Sequence, residues 1–326
     1  MPERISERDS YALYFVKAFA ILASVAAHTS LIKDTTAFTA VVTRIWDMVS
    51  TISVGNFFIV GGILYTRRKG DSASFWKRKG LYVVLPWLFC ATLTCTYRAV
   101  MGHPSDLLGY IRYVLGIGTW YYYVTMYLFL MAFFKLIHNH VPALWGCIAV
   151  TVVSLTLRAK YIEIPLDKLV QSEYLNPMYW VGFFALGILL RRNGLRLNRW
   201  LVAACFVIFP VAAVVVYRNW IYTYFNIINF IYSTSAFVVL LTLGRWIAGT
   251  PGKRAAKWIG SATYCVYMLH MPLAQIFLRR IPDCDLKELL GPVLGLAFMM
   301  LLIEAGKWVS RKLPFGDKLR LLVGLR

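Results

Sequence analysis

Apolar residues in this chain gather into runs of about 20, the length that carries an α-helix across a bilayer, separated by shorter polar stretches. Ten such windows stand out, at residues 9–30, 46–66, 80–97, 118–137, 141–157, 176–190, 199–217, 222–244, 258–278 and 289–309. The pattern predicts an all-α polytopic membrane helix bundle of about ten transmembrane helices. Residues 98–117 and 158–175 are the longer connections, and no repeat or long linker divides the chain, so residues 1–326 read as one integral-membrane domain. Within the first window Ala18 to Ala27 has the length of a signal-peptide core and small residues follow it, but Glu3, Glu7 and Asp9 offset the basic residues before Lys17, which predicts an uncleaved first helix.

Composition supports this class, since 59% of the 326 residues are apolar and only 15% are charged. A formal charge of +20 raises the question of nucleic acid, and the placement of the charge answers it. With the N-terminus inside, 23 of the 35 Lys and Arg residues fall in cytoplasmic segments and 11 in outer ones, with Lys17 inside a span. That asymmetry is the positive-inside signature. It places both termini in the cytoplasm, makes the lipid bilayer the partner of the basic face, and excludes nucleic acid. The expected location is the plasma or inner membrane, in multi-pass form. Five of the six cysteines lie in apolar spans and only Cys284 in an outer loop, without CxxC or Cys/His ligand spacing, so no metal is expected.

Polar residues within the apolar runs carry the candidate chemistry. In KAFAILASVAAH, Lys17 and His28 are eleven positions apart, which is close to three helical turns and about 16 Å of rise. They therefore share one face, with Lys17 in the inner half of the membrane and His28 towards the outer half. A plainer reading has Lys17 snorkelling inward and His28 bonding a neighbouring helix. Their alignment on one stripe favours function, because an intramembrane charge is costly and usually marks a substrate or proton route.

This first helix, with a basic residue, ten intervening positions and a histidine, resembles the integral-membrane acyltransferase 3 family, whose members O-acylate sugars and other cell-surface molecules. Further stretches agree. SVGNFFIVGGIL (53–64) resembles the family's phenylalanine pair, with Gly61 where serine is usual. FWKRKGLYVVLPW (75–87) resembles its basic cluster running into a proline, with lysines for some arginines. IGSATYCVYMLHMPL (259–273) resembles its serine, tyrosine and histidine–proline pattern, and GTWYYYVTMYLFL (118–130) the aromatic opening of a middle span.

The resemblance implies an O-acyltransferase that draws on cytoplasmic acyl-CoA as co-substrate, with no tightly bound cofactor, and acylates a hydroxyl of a cell-surface glycan or glycolipid. Acetyl is the expected group. A stretched pantetheine arm is on the order of the same 16 Å given by the helix rise, so a thioester can reach His28 while its nucleotide stays inside. The acceptor hydroxyl loses a proton as it attacks, and His28 is the expected general base; a covalent acyl-histidine is the open alternative. Lys17 is the expected electrostatic partner, holding a phosphate or a carboxylate, where the family usually has arginine. Lys77, Arg78 and Lys79, with Arg67, Arg68 and Lys69 before them, are candidates for the CoA phosphates in the second cytoplasmic loop, Lys79 first among them. Trp120, Tyr122 and Tyr123 are candidates for stacking on a sugar or on adenine. Tyr267 and His270, ahead of Pro272, are candidates for orienting the acceptor or the base. Asn56 is expected to bond across the bundle, Glu304 to pair with Lys307, and Trp220, Tyr222, Tyr224, Glu163 and Asp167 to face the acceptor side. A proton-coupled or polymer-exporting transporter would also use an intramembrane Lys and His, and a noncatalytic flippase or assembly partner for surface polymers also remains open. The oligomeric state is not legible.

Overall fold

The computed structural model describes residues 5–29, 36–65, 72–162 and 164–325. Arg67, Arg68, Lys69 and Glu163 lie outside the described residues. Those described form helices and turns with no strand among them. In chain order the helices are α1 (Glu7–Ala26), α2 (Ala37–Ser50), α3 (Ser53–Ile63), α4 (Ser72–Lys79), α5 (Leu85–Val100), α6 (Leu107–Leu115), α7 (Tyr122–Ile137) and α8 (Val141–Ala159). They continue with α9 (Pro165–Leu169), α10 (Val181–Arg192), α11 (Arg199–Arg218), α12 (Ile227–Ile247), α13 (Lys253–Leu278), α14 (Asp285–Ser310) and α15 (Gly316–Leu322).

Nine of the ten apolar windows each fall on one of these helices, and the window 46–66 covers the end of α2 and all of α3. Among the described residues, seven segments are both long and apolar enough to cross a membrane: Glu7–Thr29, Ala37–Ile63, Ala73–Val100, Val141–Ala159, Arg199–Arg218, Ile227–Ile247 and Asp285–Ser310. The other three windows hold the shorter α7 and α10 and the more polar, 26-residue α13. The second segment is broken at Thr51–Ile52, where Thr51 turns its hydroxyl back onto the Met48 carbonyl. Exposed Val207, Val211 and Val214 on α11 and exposed Trp200, Trp246 and Trp308 at helix ends form an apolar outer surface with interfacial indoles, suited to lipid rather than water.

One expectation is corrected. Lys77, Arg78 and Lys79 end helix α4 instead of lying in a loop, and α4 runs through a widened turn, Gly80–Val84, into α5. The cause lies at Pro86, which cannot donate to the carbonyl one turn back and crowds it. A π-type turn gives the chain the extra room, and the Val83 carbonyl within it accepts a 2.6 Å hydrogen bond from the Tyr264 hydroxyl of α13.

Alongside a smaller one around Ile52, Val216 and Tyr232, two large apolar cores make up most of the interior. One gathers α3, α7, α8, α10 and α12 around Phe58, Phe134, Phe184 and Phe237; the other gathers α5, α7, α13 and α14 around Trp87, Val266, Met268 and Met300. The first core is tightened where α3 meets α10. A Cβ on Gly62 would sit 2.1 Å from the Phe184 carbonyl, and one on Gly187 2.1 Å from the Ile59 carbonyl, so only glycine permits this backbone approach. Helix α1 runs along the seam between the cores, and Tyr123 and Tyr127 of α7 pack against both. The start of α1 is fixed by Asp9, which accepts a 2.7 Å bond from Arg245 at the end of α12, while Lys253 at the start of α13 faces the Tyr11 ring. The segment after α15 reaches the same region, where Gly324 meets Tyr264. The first and last described segments thus share one end of the bundle.

Candidate functional site

The seam encloses a cavity of about 500 Å³ at that shared end. Lys17 and Tyr14 of α1, Lys79, Tyr82 and Tyr127 line its mouth, and Tyr123 and Tyr267 lie deeper. Lys17 places its ammonium 4.5 Å from the Tyr14 ring centroid. Lys79 is half-buried, donates to the Tyr127 hydroxyl at 3.4 Å and faces the Phe75 and Tyr127 rings at 5.5 Å. Lys77 and Arg78 are exposed and do not line the cavity. Gly61 is part of the wall, and a Cβ there would come within 3.0 Å of the Tyr127 ring. Glycine at this position thus lets Tyr127 lie close against α3.

Beyond the cavity an aromatic chain leads along the seam. The rings of Tyr123 and Tyr267 are 5.2 Å apart, those of Tyr267 and His270 5.7 Å, and those of His270 and His28 5.2 Å. Trp120 closes the group, 6.4 Å from His270. The sequence put Lys17 and His28 on one stripe, and both do face α13, Lys17 through the cavity and His28 through His270. The window 9–30 placed His28 within the helix, whereas α1 ends at Ala26 and His28 sits in the turn that follows, its N–H bonded to the Val25 carbonyl. Its own carbonyl accepts from the Gln275 amide at 3.0 Å, which ties this turn to α13.

Pro272 explains the local order around His270. Its missing N–H leaves the Met268 carbonyl free, and the buried Tyr121 hydroxyl donates to it at 3.1 Å. The Tyr267 hydroxyl donates to the Trp120 carbonyl. The His270 ring approaches the Tyr267 carbonyl through Nδ1 at 2.8 Å. A carbonyl only accepts, so Nδ1 carries the proton and a neutral ring offers its lone pair at Nε2. That Nε2 is buried without a hydrogen-bond partner, as is the indole N–H of Trp120. An acceptor and a donor are therefore both unsatisfied on neighbouring rings in an interior where such groups are normally paired. A bound hydroxyl or carbonyl oxygen would satisfy them.

The structure brings together seven of the sequence candidates, namely Lys17, His28, Lys79, Trp120, Tyr123, Tyr267 and His270. It leaves Lys77 and Arg78 outside. Tyr122 turns away, its ring 4.6 Å from Tyr174 and near Trp180. Tyr224 points inward to the Ser53 hydroxyl at 3.1 Å, and Trp220 stacks on the Arg44 guanidinium at 3.6 Å. Asp167 is occupied by Asn176 and Tyr179. Asn56 donates to Ile52 and reaches Ser233 of α12 at 3.5 Å, and Glu304 pairs with Lys307 at 2.8 Å. Tyr121, Tyr127 and Tyr264 were not singled out, although all three stand in the quoted motifs; their partners lie on other helices.

A bundle of membrane-length apolar helices around a polar, aromatic interior defines a multi-pass membrane protein. Residues 10–309 match the acyltransferase domain of the acyltransferase 3 family, and the chain belongs to that family. It is a membrane acyltransferase. No curated protein and no solved structure matches it.

Proposed function

We propose that this protein is an O-acyltransferase of ten transmembrane helices, both termini cytoplasmic, that transfers an acetyl group from cytoplasmic acetyl-CoA to a hydroxyl of a cell-surface glycan or glycolipid in the plasma or inner membrane. The observation that supports this most is the continuous path of named side chains from the Lys17 and Lys79 cavity, past Tyr123 and Tyr267, to the paired rings of His28 and His270. Donor and acceptor then enter from opposite ends. Lys79 and Lys17 supply positive charge where the donor's phosphates enter, with Lys77 and Arg78 adding to the field outside the cavity.

In the transfer step the acceptor oxygen forms a bond to the thioester carbonyl carbon, and the carbon–sulfur bond breaks. His28 takes the hydroxyl proton and returns it to the departing thiolate, which leaves as the thiol of CoA. His270, held by its Nδ1 bond to the Tyr267 carbonyl, orients the acceptor or the base through Nε2. The Trp120 N–H is suited to the oxygen on which negative charge develops.

The test is transfer of radiolabelled acetyl from acetyl-CoA to the glycan fraction of membranes bearing the protein, with mass spectrometry of surface glycans from cells with and without it. The expected product is heavier by one acetyl group and absent from His28→Ala membranes. Full transfer by His28→Ala removes His28 as the base. Unaltered surface glycans together with counterflow in the absence of any acyl donor support a transporter instead.

A further inference from the structure

The family match ends at residue 309, yet residues beyond it help to build the donor cavity. Gly324 belongs to its lining. The backbone there has a φ of +76°, and a Cβ would meet the Tyr264 ring at 2.7 Å, so glycine brings this segment directly against α13. Leu325 is buried in the same apolar core as Trp87, Cys265 and Ile303. Segment 316–325 is therefore anchored as part of the wall.

A second hollow of about 500 Å³ lies on the outer side of this wall, lined by Tyr82, Asp317, Arg320, Leu321 and Leu325. Tyr82 lines both spaces, so the two hollows lie next to one another around its side chain. Lysines and tyrosines face the inner hollow, and a guanidinium faces the outer. Arg320 is held at one end, where its Nη2 donates to Asp317, whose side chain is 90% exposed. Its Nε is buried and has no hydrogen-bond partner. A guanidinium held by Asp317 at one edge, lining the hollow beside a phenol ring, suits the phosphate of a nucleotide whose base lies against that ring.

We infer that Arg320, with Tyr82, forms a phosphate subsite at the mouth of the cavity that holds the nucleotide end of the acyl donor while the thioester arm passes Lys79 and Lys17. This rests on the acyl-CoA reading above and adds to it a binding residue from outside the family domain. The neighbouring carboxylate of Asp317 opposes an anion, and Lys318 lies beside it in sequence; the subsite is consequently selective through the orientation of Arg320 rather than through bulk charge.

The experiment compares binding of CoA, 3′-dephospho-CoA and pantetheine to the purified full-length protein in nanodiscs of neutral lipid, for the wild type, Arg320→Gln and Arg320→Lys. The melting temperature of each is recorded. Arg320→Gln is expected to weaken CoA about tenfold, as loss of a charge-assisted hydrogen bond does, and to leave pantetheine within about twofold; Arg320→Lys is expected to restore part of the difference. Equal CoA affinity in wild type and Arg320→Gln overturns the subsite. Unchanged CoA affinity joined to a smaller rise in melting temperature when phosphatidylglycerol is added to the nanodisc lipid also overturns it and assigns Arg320 to a lipid headgroup. Failure of the wild type to bind CoA at all overturns the donor reading itself, which separates the two claims.

Discussion

The imidazole rings of His28 and His270 face one another at 5.2 Å, tilted by 43°, although one sits in the turn after α1 and the other inside α13. With Nδ1 held at the Tyr267 carbonyl, His270 has Nε2 left for a ligand, and on the acyl-transfer reading it and the His28 ring would act on the same bound substrate. Residues that act as one unit are strongly non-additive. His28→Ala and His270→Ala are each expected to lower acetyl transfer by about 100-fold or more, the scale of general-base catalysis. The double variant is expected within a few-fold of the weaker single variant. Multiplicative losses, measured under saturating acetyl-CoA, would mean that the two rings act independently.

The hydroxyl of Tyr121 substitutes for the N–H that Pro272 lacks, by donating to the Met268 carbonyl. Removing it leaves a buried carbonyl unsatisfied at a cost of about 1–3 kcal/mol. Tyr121→Phe is therefore expected to lower the melting temperature in detergent. In a Pro272→Ala background the helix supplies its own donor, so the same Tyr121→Phe change is expected to cost much less. Equal losses in both backgrounds would show that the hydroxyl matters for another reason, for which its bond with Thr94 at 3.0 Å is the evident candidate.

How much of this was legible in the chain follows from what periodicity reports. Apolar windows locate helices because burial in lipid demands them, and the eleven-residue spacing of Lys17 and His28 gave a shared direction that holds even though the helix ends two residues short of His28. Periodicity does not report which helix lies opposite. Tyr264 and Tyr121 were visible as aromatics, but their roles depend on the Val83 carbonyl in the widened turn and on the Met268 carbonyl freed by Pro272, which become partners only after packing. The basic run at Lys77–Lys79 read as a loop because charge marks the membrane edge; Lys and Arg are also good helix formers, and α4 continues through them into the widened turn.

The crossing of α3 and α10 offers a test of the fold independent of chemistry. A side chain at Gly187 would collide with backbone, the Ile59 carbonyl at 2.1 Å and the Gly62 Cα at 2.9 Å, neither of which can rotate away. Gly187→Leu is expected to destabilise the bundle by more than the roughly 1–3 kcal/mol of ordinary overpacking, read as aggregation or a lowered melting temperature. Gly146→Ala is the control, since nothing lies within 4 Å of its Cβ position. A well-folded Gly187→Leu protein would mean that the two helices do not approach as described.

The basic cluster separates into two kinds of position, and kinetics should follow the separation. Lys79 is half-buried on the cavity wall and donates to Tyr127, so its ammonium is less screened than the exposed charges of Lys77 and Arg78. Lys79→Gln is expected to raise the KM for acetyl-CoA about tenfold, the worth of one charge-assisted contact, while kcat changes little because the lysine lies near Tyr127 rather than beside the histidine pair. Lys77→Gln and Arg78→Gln are expected to raise KM less than threefold and to make it more sensitive to salt, as surface charges do. Equal effects at all three positions would point to a diffuse field at the membrane surface. A fall in kcat for Lys79→Gln with KM unchanged would place its ammonium near the reacting carbonyl instead of the entering phosphates.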